Sequence, residues 1–60
     1  MQYVVEISSK SGDNKASFMF DTKEEAKNKM DECREWNQNN PSEQSIATFS
    51  YGNKVIDKIQ

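Results

Sequence analysis

Histidine is absent from this chain, and cysteine and proline occur once each. Without imidazole, the Ser-His and Cys-His dyads that usually activate a nucleophile are excluded. Cys33 stands alone, so no internal disulfide can staple the fold, and structural zinc lacks enough Cys or His ligands. Gly12 and Gly52 are isolated, which excludes a glycine-rich phosphate cradle. Ser11-Gly12-Asp13-Asn14 lacks the spaced ligands and closing Glu of a calcium loop. No apolar run approaches the roughly eighteen residues that suggest a membrane span. Met1-Gln2-Tyr3-Val4-Val5-Glu6 carries no basic leader, so the expected location is cytoplasmic. Positive charge is also scarce: Arg34 is the sole arginine, the net charge is −2 and the pI is near 4.9. That balance argues against non-specific binding to nucleic acid. No catalytic residue, metal site or cofactor is expected.

What remains is a small folding unit. One third of its sixty residues are hydrophobic and the mean hydropathy is −1.03, so the core must be small. The apolar residues nevertheless fall in periodic runs, unlike those of a disordered acidic segment. A single domain spanning residues 1–60 is expected.

The organising stretch runs from Phe18 to Trp36. Phe18-Met19-Phe20 ends a β-type run, and Asp21 or Thr22 then supplies a helix N-cap. Thr22 and Glu25 stand at capping-box spacing. Ala26, Met30, Cys33 and Trp36 follow at helical intervals on one face. Lys27, among others, falls on the opposite face, and Glu25/Lys29 and Lys27/Asp31 are opposite-charge pairs four apart. Cys33 on the apolar face reads as a buried thiol rather than a nucleophile.

Before this stretch, Tyr3, Val5 and Ile7 alternate with Val4, Glu6 and Ser8, as in a half-buried strand. The polar run Ser9–Asn14 reads as a hairpin loop into a second strand, Lys15–Phe20. After Trp36 the pattern stops, and Asn37–Gln44 reads as a connecting loop with an Asn in the left-handed position and Pro41 ending the helix. Ile46–Tyr51 and Lys54–Ile59 form a second hairpin about Gly52-Asn53. That turn predicts Tyr51 opposite Lys54, Phe49 opposite Ile56 and Ala47 opposite Lys58. On the other face it pairs Ser50 with Val55, Thr48 with Asp57 and Ile46 with Ile59.

The expected fold is therefore α+β: a two-layer ββαββ domain with a four-stranded, mainly antiparallel sheet and one helix on one face. A right-handed crossover through the helix predicts the strand order 2-1-3-4. Tyr3, Val5, Ile7, Ala16, Phe18, Phe20, Ala47, Phe49 and Ile56 form the candidate core with the apolar helix face. Val4, Met19, Ile46, Val55 and Ile59 project from the other side of the sheet. These five are either scattered exposed apolars or one association surface, and the second reading predicts a homodimer. Glu24, Asn28, Asp31 and Glu35 form a ridge along the exposed helix face. Asp31 and Glu35 are like charges four apart, and Glu35 lies where the helix dipole disfavours an anion. Such a ridge is either a solvated face or a binding site for a protein partner with a basic surface.

The junction Phe20-Asp21-Thr22-Lys23-Glu24-Glu25-Ala26, with its helix ending near Trp36, resembles the strand-to-helix junction of arm-type DNA-binding domains of phage integrases. That resemblance implies an alternative, a nucleic-acid-associated accessory domain using Lys10, Lys15, Lys54 and Lys58. The whole layout resembles small phage-encoded ββαββ proteins, some of which are anti-CRISPR inhibitors. This second resemblance implies a non-enzymatic protein-binding module, a phage or mobile-element inhibitor of a host defence or regulatory protein that acts by surface occlusion.

Overall fold

The alternation around Val5 becomes strand β1 (Tyr3–Ser9) in the computed structural model, which describes residues 2–60. β2 (Ala16–Phe20), α1 (Lys23–Asn39), β3 (Ser45–Tyr51) and β4 (Lys54–Ile59) follow in chain order. The strands form one sheet in the order β2-β1-β3-β4, every neighbour antiparallel. This is the expected ββαββ arrangement, with β1 and β3 at its centre and the helix packed over β1, β2 and β3.

The first turn takes positive φ at Gly12 (93°) and Asn14 (55°). It closes through Gly12 N–H to Ser9 O at 2.9 Å and Ser9 Oγ to Asp13 O at 2.7 Å. No atom lies within 4 Å of a Cβ placed on Gly12, so the backbone angle rather than crowding favours glycine there. Of the two N-cap candidates, Thr22 takes the position. Its Oγ1 accepts from Glu25 N–H at 3.3 Å and donates to the Glu25 carboxylate at 2.8 Å, closing the first turn from both sides.

Val5, Ala26, Met30, Cys33, Ala47 and Phe49 form the buried core, and Tyr3, Ile7, Phe20 and Ile59 pack around it. Burying a side chain the size of Val5 or Met30 stabilises the fold by about 1.5–3 kcal/mol. Phe18 is half-buried beneath Lys29, whose ammonium lies 4.3 Å from the ring centroid. Tyr3 stacks against Tyr51 with ring centroids 4.3 Å apart, closing one end of the inner face.

Several sequence expectations need correction. The second hairpin pairs Tyr51 with Lys54 and Ser50 with Val55, as expected, and then slips by one residue. Phe49 faces Asp57, Thr48 faces Lys58 and Ala47 faces Ile59, leaving Ile56 as the extra residue of a bulge. Ile59 therefore packs against the core instead of projecting from the other face, and Ile56 is exposed. The slip removes Lys58 from the apolar inner face, where strict alternation would have placed it.

The helix also continues past Trp36 to Asn39. Asn37 donates to Ser45 O at 2.9 Å and accepts from Ser45 N–H at 2.8 Å, so this polar side chain ties the extra turn to β3. Asn40 ends the helix with φ −133°, outside the left-handed region, and its Nδ2 donates to Trp36 O at 2.9 Å. Trp36 and Ala16, expected in the core, are exposed. The indole Nε1–H donates to Glu43 O at 2.8 Å, so Trp36 braces the connecting loop at the end of the core. Finally, the i,i+4 ion pairs Glu25/Lys29 and Lys27/Asp31 do not form. Lys29 pairs with Glu32 and Arg34 with Asp31, both at i,i+3 spacing.

Candidate functional site

Thr22 fixes where α1 starts, and burial of Ala26, Met30 and Cys33 fixes its rotation about its axis. Those two constraints aim Glu24, Asn28, Asp31 and Glu35 away from the sheet, and all four are exposed. The first turn carries Glu24 and Glu25, favourable to the helix dipole, whereas the last turn carries no basic residue. Glu24 and Glu35 have no ion-pair partner among the described residues.

Asp31 differs from its neighbours on the ridge. Its Oδ1 accepts from Arg34 Nη1 at 3.2 Å, while Arg34 Nη2 donates to Asp57 on β4. The hydrogen bond from Arg34 holds the Asp57 carboxyl below the usual carboxylate range, against a smaller upward push from burial. Arg34 is correspondingly raised, chiefly by the Asp57 hydrogen bond. The only guanidinium in the chain is thus engaged within the fold.

Cys33 lies on the floor of a shallow hollow lined also by Ile7, Lys29, Glu32, Trp36 and Ser45. Burial pushes its thiol pKa up, with Arg34 and Lys29 opposing weakly. A thiol held protonated is a poor nucleophile, consistent with its packing role. A neighbouring open groove is lined by Lys10, Asn14, Trp36, Pro41 and Glu43 among others. At this end Lys10 N–H donates to Gln44 O at 3.1 Å and joins the first loop to the α1–β3 connection. The half-exposed indole at this end was not anticipated from the sequence. The polar run that follows Trp36 was the available signal that little apolar chain remained to cover it.

The sheet's other side is free of helix. Val4, Met19, Ile46 and Val55 lie there, while Ile59 does not. Met19, Val4, Ser50 and Val55 are paired successively across all four strands and make one transverse row. Ser17, Glu6, Thr48 and Lys58 make the next row.

The four lysines of the nucleic-acid alternative are not brought together. Lys54 pairs with Tyr51, which faces Tyr3 at the start of β1, whereas Lys10 follows the other end of that strand. At about 3.3 Å per residue the two ends lie about 20 Å apart. Among the described residues, no group of three or more His, Cys, Asp or Glu is placed to hold a metal ion, and no helix is long and apolar enough to cross a membrane. In comparisons with known proteins, the chain matches no family model, no curated sequence and no solved structure.

Proposed function

We propose that this chain is a non-enzymatic protein-binding module whose exposed helix face covers a basic surface of its partner. It would act by occlusion, in the manner of the phage-encoded inhibitors of host defence proteins whose ββαββ layout it resembles. The observation that carries this reading is the charge on the helix face. Among the described residues Glu24 and Glu35 make no ion pair on this ridge, and Arg34 is held by Asp31 and Asp57. Lys27 remains beside them as an exposed cation. An acidic face of this kind speeds encounter with a basic partner and selects against acidic ones.

The test is affinity capture from nuclease-treated host lysate, comparing the wild type with Glu24→Lys/Glu35→Lys. These two positions are preferred to Asp31, whose substitution would disturb the Arg34 contacts. One defined protein should be retained by the wild type, released as salt rises and lost by the double variant, whose circular dichroism is unchanged. Equal retention by the variant would remove the ridge from the interface. Retention of nucleic acid in untreated lysate, and of nothing after nuclease, would replace this reading with the accessory-domain one.

A further inference from the structure

We propose that the outer face of the sheet closes on a second copy of this chain, about a two-fold axis that runs along the strands between β1 and β3. The argument starts from the two transverse rows. Met19 and Val55, 65% and 52% exposed, stand at opposite ends of the apolar row, on edge strands β2 and β4. An axis along the strands lays β2 over the partner's β4, so each Met19 meets a Val55 of the other copy. The same rotation treats the charged row identically. Lys58 on β4 comes to lie over Ser17 on the partner's β2. Ser17 Oγ donates to Glu6 Oε2 at 3.5 Å, so the Glu6 carboxylate leans toward β2, where that ammonium arrives.

This axis therefore sets Met19 on Val55 and brings each Lys58 beside the partner's Glu6, twice per dimer, with Val4 on Ser50 and Glu6 on Thr48 at the centre, as an isologous interface requires. An axis across the strands through the charged row would set Glu6 over Glu6 and Lys58 over Lys58, and one through the apolar row would carry Glu6 and Lys58 away from each other. Only the axis along the strands brings Lys58 to the partner's Glu6. Two aligned sheets pack at about 30°, which a modest tilt of the axis supplies. Four strands about 4.8 Å apart and about 20 Å long give a face of about 400 Å² per copy. That places the pair in the weak, reversible class of interfaces.

Sedimentation velocity from micromolar to millimolar protein tests the proposal. The wild type should pass from monomer to dimer with rising concentration. Glu6→Lys alone and Lys58→Glu alone should each raise the dissociation constant at least about tenfold, because like charges then face each other. An equimolar mixture of these two variants should recover dimer, since every cross-interface contact again joins opposite charges. Circular dichroism of each variant separates loss of association from loss of fold, and Glu6→Lys/Lys58→Glu in one chain should dimerise like the wild type. A wild type that stays monomeric at millimolar concentration overturns the proposal. So does a dimer that neither single variant weakens, or a mixture that stays monomeric.

Discussion

Arg34 on α1 reaches across to Asp57 on β4, joining the helix to the edge strand that it otherwise covers least. The bulge at Ile56 makes this contact possible by turning Asp57 to the helix side, opposite Phe49. A polar clamp thereby substitutes for apolar cover at the margin of the sheet.

The clamp predicts a pH dependence. The Asp57 carboxyl is depressed in the folded state by the Arg34 hydrogen bond, so its stabilisation is complete above the ordinary aspartate value. It is lost as pH falls from about 4 through the lower folded value. Lys58 N–H also donates to Asp57 Oδ1 at 2.8 Å, and Asp57→Asn retains an oxygen for it but removes the charge. At neutral pH it should cost about 0.5–1 kcal/mol in urea unfolding, the range of a partly exposed pair. The gap from wild type should close as pH drops below about 4. A gap that stays constant to low pH would show that Asp57 acts by shape and not by charge.

Asn37 predicts a larger effect from a neutral residue. Its amide satisfies both the N–H and the C=O of Ser45 at a part-buried site, tethering the last turn of α1 to the first residue of β3. Asn37→Ala leaves both backbone groups unpaired and should cost about 1–3 kcal/mol. Chemical denaturation measures this directly, and amide exchange should show faster opening at Ser45. A cost under about 0.5 kcal/mol would mean that water replaces the side chain without loss.

The same residue shows where sequence reading stopped. Thr22, Glu25 and the spacing of Ala26, Met30 and Cys33 carried the start and rotation of the helix, because these effects act within a few residues. Alternation and the Gly52 turn likewise carried the strands and the β2-β1-β3-β4 order. The helix end depended instead on a contact from Asn37 to Ser45, which no local pattern announces. The bulge depended on tertiary competition: strict alternation would place Lys58 beside Ala47 on the apolar face, and one inserted residue exchanges it for Ile59. A lysine on a core face was the readable warning. The ridge positions followed from helical period alone, but the diversion of Asp31 to Arg34 did not.

The corrected register separates two isoleucines that alternation alone would sort the other way. Ile59 packs on the core while Ile56 is 41% exposed. Ile59→Ala should therefore destabilise by about 1–2 kcal/mol, less than full burial because the site is only partly enclosed. Ile56→Lys should stay within about 0.5 kcal/mol, as surface substitutions do. Thermal or urea unfolding of the two variants decides the matter. The opposite ranking would restore the unbulged pairing and place Ile56 inside.

Glu35 sets stability against binding. It lies in the last third of α1, four residues after Asp31, in a helix whose last turn has no basic residue. Because α1 runs on to Asn39, and does not end near Trp36 as expected, Glu35 lies before the last turn and the helix dipole weighs little on it. The like-charge neighbour still disfavours an anion here, so Glu35→Lys should raise stability by about 0.2–0.5 kcal/mol. Part of the repulsion is already relieved by Arg34 on Asp31, which puts the expected gain toward the lower end. If the ridge meets a basic surface, the same substitution should weaken partner binding, and the loss should shrink as salt screens the pair. The two measurements are unfolding by urea and titration of the captured partner at two ionic strengths. Stability gained with affinity unchanged would identify Glu35 as part of a merely solvated face. Stability gained with affinity lost would mean that the carboxylate is kept at a local cost because the partner requires it.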